Sequence, residues 1–573
     1  MKKTKPERQH INDLRELVKN SARDNGSRTY LKYKRGGTVE SMSFSELDKM
    51  CDCIGTAFYN IGLRDTVIGF LGETCPELII TYLATVNGGN IIVPLDKELS
   101  PSELANFIKL AGIKAVVFTQ SYDEMFSDLF HLLDDVSYFI PVVTDEKKYS
   151  PQVYEEIEGE KRIEFNKLAE RGAELLDDGE DEYLNCELDC EKMSVLLFTS
   201  GTTGTSKGVM LSIKNIATAV NNSYDCTNFN EDDVLVSVLP IHHTYEMTCG
   251  ILTPILIGAT VCINDSLKYI MKNFQLFKPT GLVLVPLFVK TMYKKIWDTA
   301  AKSNSTKKLN FALSLQGALS KVGIDVKKVL FSQIRKAFGG RLEKVICGGA
   351  PLGGELAKAF NDFGIVLCQG YGITECAPLI SVCPYGSKKY DSVGYPVPGL
   401  EVRIDDADEN GNGEIVVKGN NVMLGYYANP EATADVLDDE GWFRTGDLGY
   451  LDDDGYIYIT GRKKNVIVLN NGKNVFPEEI EEYLEKIDIV GEVAVVSRDN
   501  EEGECVLTAV IYPNFDKAKE IGLEDIIDIS EEIKNRVQKN NKTLPAFKQV
   551  RNIEIRKTEF EKTTSKKIKR HKI

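Results

Sequence analysis

Residues Phe198 to Gly208 read FTSGTTGTSKG, three adjacent pairs of hydroxyl residues and three glycines around a single lysine. Glycines at 201, 204 and 208 let backbone N–H groups approach an anion closely. Thr199, Ser200, Thr202, Thr203 and Ser206 add hydroxyl donors, and Lys207 adds a positive charge. A hydrogen bond to a charged group contributes about 1.5–3 kcal/mol, so several converging donors suit a polyphosphate. The nucleotide-triphosphate loop G-x-x-x-x-G-K-[ST] does not fit, because Ser206 precedes and Gly208 follows Lys207. No G-x-G-x-x-G dinucleotide fingerprint follows a strand here either. The plain alternative is a small polar linker. Against it, MSVLLF (Met193 to Phe198) predicts a buried strand before the loop, and SIKNIATAVNN predicts a helix after it with Ser212 as N-cap. The loop is therefore expected to join strand to helix.

This loop resembles the phosphate-binding signature of the adenylate-forming superfamily, and further stretches in the same order extend the resemblance, most closely to its long-chain fatty acid–CoA ligases. CGGAPL (Cys347 to Leu352) and QGYGITECAP (Gln369 to Pro378) are similar to the family's two nucleotide-pocket segments. Gly348 and Gly349 remove bulk where a flat purine must slide in and Tyr371 offers it an aromatic face; the resemblance implies that Gly349, Ala350, Pro351, Gly370, Tyr371 and Gly372 bind the nucleotide. It implies that the Thr374 hydroxyl meets the α-phosphate and that Glu375, with Thr202 of the loop, serves Mg²⁺, a cation that takes hard oxygen ligands. WFRTGDLGYLDDDG (Trp442 to Gly455) brings Asp447, implied to accept hydrogen bonds from both ribose hydroxyls, as an ionised carboxylate can. In ITGRKKN, Arg462 matches a ribose and phosphate contact and Lys464 an interdomain hinge. On sequence alone both are ordinary turn charges.

LPIHHTYE (Leu239 to Glu246) resembles the segment that borders the substrate carboxylate, with His243 at the gating position. A histidine pair could also bind metal, but five histidines in the chain and no third ligand at hand argue against zinc. EKTTSKKIKR (Glu561 to Arg570) places Lys567 where the family carries its catalytic lysine; Glu561 and Lys566 replace the family's proline and glycine. Lys567, Thr374, Glu375 and His243 are thus the implied catalytic residues. The implied reaction is attack of a carboxylate on the α-phosphate of ATP, then transfer of the acyl group to the thiol of CoA. An acyl-carrier-protein ligase would share every motif, and a silent acyl- or nucleotide-binding scaffold would have lost several. A helical insertion including IDVKKVLFSQIRKAFGG (Ile324 to Gly340) resembles the long-chain acyl-CoA synthetases more than the amino-acid-activating members, and that resemblance implies a fatty acid.

The elements that must hold these residues follow from the rest of the chain. At 573 residues it is too long for one core. A hydrophobic share of 43% and a charged share of 27% describe a folded protein. A net charge of −16 argues against a nucleic-acid partner, which would need a phosphate-neutralising surface. Thirteen cysteines, an odd number without a repeated C-x-x-C pair, suit a reducing cytoplasmic setting better than a disulfide framework. The basic start lacks the apolar run of a secretory signal, and the apolar stretches Ile251 to Ile263 and Gly281 to Val289 are too short to span a membrane. The basic C-terminal run Lys562 to Lys572 is a candidate for peripheral contact at the inner face of an anionic membrane.

Up to about residue 450, runs such as VIGFLG, AVVFT and DVLVSVLP alternate with helical patterns such as PELIITYLATVNGG, the rhythm of βαβ units. The acidic stretch Ala173 to Glu191 reads as a connector. Short strands punctuated by Gly, Asp and Asn predict a small antiparallel β unit. A helix, two strands and a further helix follow. The expected fold is α/β: a large N-terminal domain (1–461) of parallel-sheet subdomains with the β unit at about 391–461, a hinge at 462–464, and a small mobile α+β C-terminal domain (465–573).

Overall fold

The strand Met193–Thr199 is one of five parallel strands at the heart of a seven-stranded sheet. In this computed structural model, residues 8–144, 161–199, 206–469, 474–499, 505–562 and 568–573 are described. They divide into two compact units. The larger is built from the segments up to Thr199, Lys207–Glu401 and Lys418–Gly441, the smaller from Val402–Val417 and Trp442–Ile573.

In the larger unit the parallel strands run in the order Met193–Thr199, Ile91–Pro94, Val67–Leu71, Ala115–Thr119, Tyr138–Val142. Val67–Leu71 and Ala115–Thr119 are almost wholly buried apolar runs, as parallel strands covered on both faces must be. The strand Lys207–Ser212 then pairs antiparallel with Met193–Thr199, placing Thr199 opposite Lys207 and Phe198 opposite Gly208. Met193–Thr199 and Lys207–Ser212 are therefore successive arms of a hairpin, which corrects the expected strand-to-helix junction. KGVMLS is a strand because Val209 and Leu211 bury themselves against the neighbouring strand, and the helix waits until Ile213. Ser212 does cap it: its hydroxyl accepts from Asn215 N–H and the Asn215 side chain accepts in return from Ser212 N–H.

A second sheet of nine strands in this unit has six parallel members, in the order Val366–Gly372, Lys344–Cys347, Gly281–Leu284, Val234–Ser237, Thr260–Ile263, Thr29–Arg35. Antiparallel strands finish both edges. The acidic stretch before the loop is more than a connector. Tyr183 is buried, and a Cβ at Gly55 would fall 2.0 Å from its ring, so only glycine leaves room for this docking.

The smaller unit contains a four-stranded sheet, Glu401–Asp405, Gly413–Lys418, Phe443–Leu451 and Ile457–Arg462, with antiparallel pairing along its last three strands. It also contains a three-stranded sheet, Val490–Asp499, Cys505–Pro513 and Asn552–Ile555, packed by the helices Pro477–Leu484 and Ile526–Asn541 around a core that includes Ile480, Leu484, Val495, Ile511 and Ile533. The structure is thus mixed α/β in its large N-terminal sheets and α+β toward the C-terminus. Among the described residues no helix is long and apolar enough to cross a membrane, and every cysteine whose side chain is described is a free thiol.

Candidate active site

The hairpin that frames the polar loop is tied down at its mouth. Thr199 Oγ1 donates to the Lys207 carbonyl at 3.3 Å, and Phe198 stacks on Phe107 with centroids 4.5 Å apart. Ser200, Gly201, Thr202, Thr203 and Gly204, five of the expected phosphate and metal contacts, lie outside the described residues. Lys207 is described, and its ammonium sits 4.4 Å from the centroid of the Tyr426 ring. Tyr426 arrives on the short strand Gly425–Tyr426, which pairs antiparallel with Lys207–Ser212. From there its hydroxyl donates to Glu375 Oε1 at 2.9 Å. Lys207 and Glu375 are therefore joined through one tyrosine that the sequence reading missed. No signal in the stretch GYYANP marks it, because the link depends on strand pairing.

Thr374 and Glu375 occupy a single 3-10 turn at the end of the strand Val366–Gly372. The turn is held from outside: Met423 N–H donates to the Glu375 carbonyl at 2.8 Å, Asn421 Nδ2 donates to the Cys376 carbonyl at 3.1 Å, and Thr248 Oγ1 donates to the Ala377 carbonyl at 3.3 Å. Among the described residues no three His, Cys, Asp or Glu side chains converge as a metal cluster. A lone carboxylate with one oxygen already bonded to Tyr426 fits Mg²⁺, which is commonly held by one or two carboxylates together with substrate phosphates and water.

A cavity opens beside this turn. Its wall includes Gly348, Gly349, Gly370, Tyr371 and Gly372, so five positions of the two glycine-rich segments do come together. Phe229, Val283, Ile346, Leu379 and Val382 make the rest largely apolar, with Tyr245 and Cys249 on one side. Gly349 has φ +82°, and a Cβ at Gly372 would stand 1.7 Å from the Pro378 carbonyl oxygen, so backbone geometry demands glycine at both. Ala350 and Pro351 continue from Gly349 on the same loop, half-buried and exposed respectively.

His243 is not among the residues lining this cavity; Tyr245 of the same HHTYE stretch is, with its hydroxyl 3.3 Å from the carbonyls of both Leu284 and Ile346. The His243 ring packs 4.2 Å from that of His242, which lies 3.5 Å from Asp96. Burial, with His243 and Lys97 nearby, pushes His242 well below the usual histidine range. Next along the chain, Glu246–Leu252 forms a π-helix, a rare geometry that clusters at functional sites. Glu246 is buried in it. Its carboxyl accepts from Ser237 Oγ at 2.5 Å, and a Cβ at Gly250 would stand 2.7 Å from it. Burial pushes Glu246 up to about 8.

In the smaller unit Asp447 and Arg462 are directly opposite in the antiparallel register, with Arg462 Nε 2.6 Å from Asp447 Oδ1. Asp447 is buried, and its N–H donates to Thr445 Oγ1 at 3.1 Å. Lys464 is exposed in the 3-10 turn Lys463–Asn465. Lys567 lies outside the described residues. On either side of it Lys562 bridges antiparallel to Ile568, and Lys569 N–H donates to the Glu561 carbonyl at 2.8 Å. Arg570 Nη2 donates to Glu481 Oε1 at 2.6 Å.

The sequence model for the AMP-binding enzyme matches residues 18–427, and that for the AMP-binding enzyme C-terminal domain matches 464–573. The chain belongs to the AMP-binding enzyme family. Its curated relatives include the long-chain-fatty-acid–CoA ligase ACSBG1 of Rattus norvegicus, 30% identical over 482 residues that cover 80% of this chain and 65% of that protein. The long-chain-fatty-acid–CoA ligase FadD15 of Mycobacterium bovis is 29% identical over 492 residues, 82% of this chain and 77% of that protein. The chain thus spans just under two thirds of the rat enzyme's length. Among solved structures, ATP-bound MatB from Rhodopseudomonas palustris superposes with a TM-score of 0.73 at 23% identity, covering 98% of both chains. The anthranilate CoA ligase AuaEII in complex with anthranoyl-AMP superposes with a TM-score of 0.74 at 19% identity, covering 98% of this chain and 96% of that one. These likenesses establish the AMP-binding enzyme fold.

Proposed function

We propose that this AMP-binding enzyme is a long-chain fatty acid–CoA ligase that forms an acyl-adenylate from ATP and a fatty acid and then passes the acyl group to CoA. The observation that carries the reading is the link from Lys207 through Tyr426 to Glu375 beside an apolar, glycine-walled cavity. A cation for the triphosphate, a metal-competent carboxylate and a slot for a flat or apolar group are the parts that adenylation needs.

In the first half-reaction a carboxylate oxygen bonds to the α-phosphorus while the bond to the β-phosphate bridging oxygen breaks, releasing pyrophosphate. Lys207 and the 198–208 loop hold the departing phosphates. The Thr374 hydroxyl and Lys567 donate to the α-phosphate, where negative charge builds, and loss of one such donor costs about a hundredfold or more in rate. Glu375 with Thr202 would hold Mg²⁺, which when bound neutralises phosphate charge. Tyr371 faces the purine, Asp447 accepts from the ribose hydroxyls with Arg462 steering it, and His243 borders the carboxylate. In the second half-reaction a thiol sulfur bonds to the acyl carbon, AMP leaves, and the thiol proton goes to solvent. A pivot at 462–464, with Lys464 as its hinge residue, separates the domain 1–461 from 465–573 and alternates the two half-reactions.

The deciding experiment is ATP–pyrophosphate exchange with purified protein and Mg²⁺ across an acid series from acetate to stearate plus aromatic and amino acids, with AMP release scored with and without CoA. Exchange that rises with chain length, and AMP release stimulated by CoA, supports the reading. No exchange with any acid overturns it in favour of a silent scaffold, and release stimulated only by a holo-carrier protein moves the acceptor from CoA to that protein. The free thiols support a reducing, cytoplasmic setting.

A further inference from the structure

The helix Thr306–Ser320 is inverted with respect to an ordinary surface helix. Its only buried residue is a polar one, Gln316, whereas Phe311 is 68% exposed and Leu315 36% exposed. Phe311, Leu315 and Ala318 recur at intervals of four and three residues, which sets them along one face of the helix, and Val322, in the turn just past its end, is 71% exposed. The chain that follows adds Ile324 and Val329, the latter 76% exposed. An apolar strip of this kind on a soluble surface marks an interaction site.

Charge identifies what covers it. From Lys290 to Lys336 the sequence carries eleven Lys and Arg against two Asp and no Glu, in a chain whose net charge is −16. Lys307, Lys308 and Lys321 are exposed on or beside the helix. Lys328 and Arg335 reach Glu343, at 3.0 and 3.3 Å, and still leave the segment strongly positive. The basic C-terminal run is different: Lys562 pairs with Glu492, Arg570 with Glu481, and Lys572 lies 3.7 Å from Glu561. These three charges of the tail are answered within its own unit. Exposed apolar side chains ringed by lysines match the boundary layer of an anionic bilayer, where the apolar groups enter the acyl region and the ammonium groups meet the headgroups.

We propose that residues 306–329 are a peripheral membrane-docking surface that seats this protein on anionic phospholipid. Docking itself does not depend on the enzymatic reading above; only its consequence, access to fatty acids partitioned in the bilayer, rests on it.

The test is co-sedimentation of the full chain with vesicles of pure phosphatidylcholine and with vesicles containing about a third phosphatidylglycerol, without substrate. Binding is expected to the anionic vesicles and to fall at least about threefold when salt is raised several-fold. The pair Phe311→Asp with Val329→Asp, and separately the set Lys307→Glu, Lys308→Glu and Lys321→Glu, should each remove most of it. Because these side chains are exposed, melting temperature and ATP–pyrophosphate exchange with a short, water-soluble acid should be unchanged. A tail variant, Lys569→Glu with Lys572→Glu, should bind like the parent. Absence of binding, equal binding to both vesicle types, undiminished binding by well-folded helix variants, or loss only in the tail variant overturns the proposal.

Discussion

Tyr426 Oη stands 2.9 Å from Glu375 Oε1, and the same ring carries the Lys207 ammonium 4.4 Å from its centroid. One side chain thus orients the two groups assigned to the phosphates and their metal, with strand pairing between Gly425–Tyr426 and Val209–Met210 fixing where it comes from. Tyr426→Phe removes the hydroxyl and keeps the ring. A hydrogen bond to a charged group contributes about 1.5–3 kcal/mol. Pyrophosphate exchange should therefore fall by about tenfold or more, with the melting temperature little changed. Tyr426→Leu should fall further, because it also removes the face on which Lys207 rests. Equal exchange in the parent and Tyr426→Phe would remove Tyr426 from the site.

Arg462 and Asp447 are cross-strand partners, and the short contact between them orients the carboxylate. Asp447→Asn keeps the shape but replaces one acceptor oxygen by a donor, so one of the two ribose hydrogen bonds proposed for it would be lost. The expected outcome is a rise in the KM for ATP of about tenfold with a smaller change in KM for the acid, read from initial rates. Arg462→Met should shift the same constant in the same direction. A change confined to the acid's KM would contradict the assignment.

On the proposed mechanism the two half-reactions should separate at Lys464 and Lys567. A proline at 464 fixes φ near −65° in a turn where Lys464 is exposed, so adenylate should still form while thioester output drops sharply. Lys567→Ala should slow adenylation by about a hundredfold and leave thioester formation from supplied acyl-adenylate nearly intact. Rapid-quench measurement of both steps checks the pair. Parallel loss of both steps in both variants would argue against a swivelling division of labour.

What the sequence disclosed and what it hid divide along physical lines. Local signals were legible: the Ser212 cap, the buried strand Met193–Thr199, and two helices and two strands of the last hundred residues, each marked by periodicity or capping chemistry within a short window. The hairpin strand Lys207–Ser212 was not, because its lysine and glycine opening dilutes the β pattern and its partner strand supplies the burial. Tyr426 was invisible for a similar reason, since its role arises only from pairing with a distant segment. The π-helix at Glu246 leaves no compositional mark; it is a matter of hydrogen-bond register. Gly55 became interpretable only once Tyr183 was seen to dock on it.

Arg570 and Glu481 form a partly buried pair close to the C-terminus, with Arg570 Nη1 also donating to the Val495 carbonyl at 3.0 Å. Burial raises Glu481 to about 7 even though Arg570 opposes that rise. Arg570→Ala would leave a buried carboxylate without its cation, a change that typically costs about 3 kcal/mol or more when burial is complete and less where, as here, the arginine is a quarter exposed. Protonation of Glu481 relieves the penalty. The variant's deficit in melting temperature should therefore be larger at alkaline pH than at mildly acid pH. A deficit independent of pH would show that packing, and not charge, is what Arg570 supplies.

Glu246 gives the sharpest pH signature. Its folded-state value is about 8 against an ordinary 4.5, the shift coming from burial and only partly offset by the hydrogen bond from Ser237. A carboxyl whose value is raised on folding binds more protons in the native than in the unfolded state between those two values. Its contribution is therefore fully present in acid and is lost as pH rises toward the folded value. Glutamine at this position keeps the acceptor toward Ser237 and cannot ionise. Glu246→Gln should match the parent within about 1 kcal/mol at mildly acid pH and become the more stable of the two above neutrality, by an amount on the order of a few kcal/mol. Denaturant melts of both proteins across that range decide it: parallel curves would mean that Glu246 is already ionised in the folded chain, and that the π-helix around it is held by something other than a neutral carboxyl.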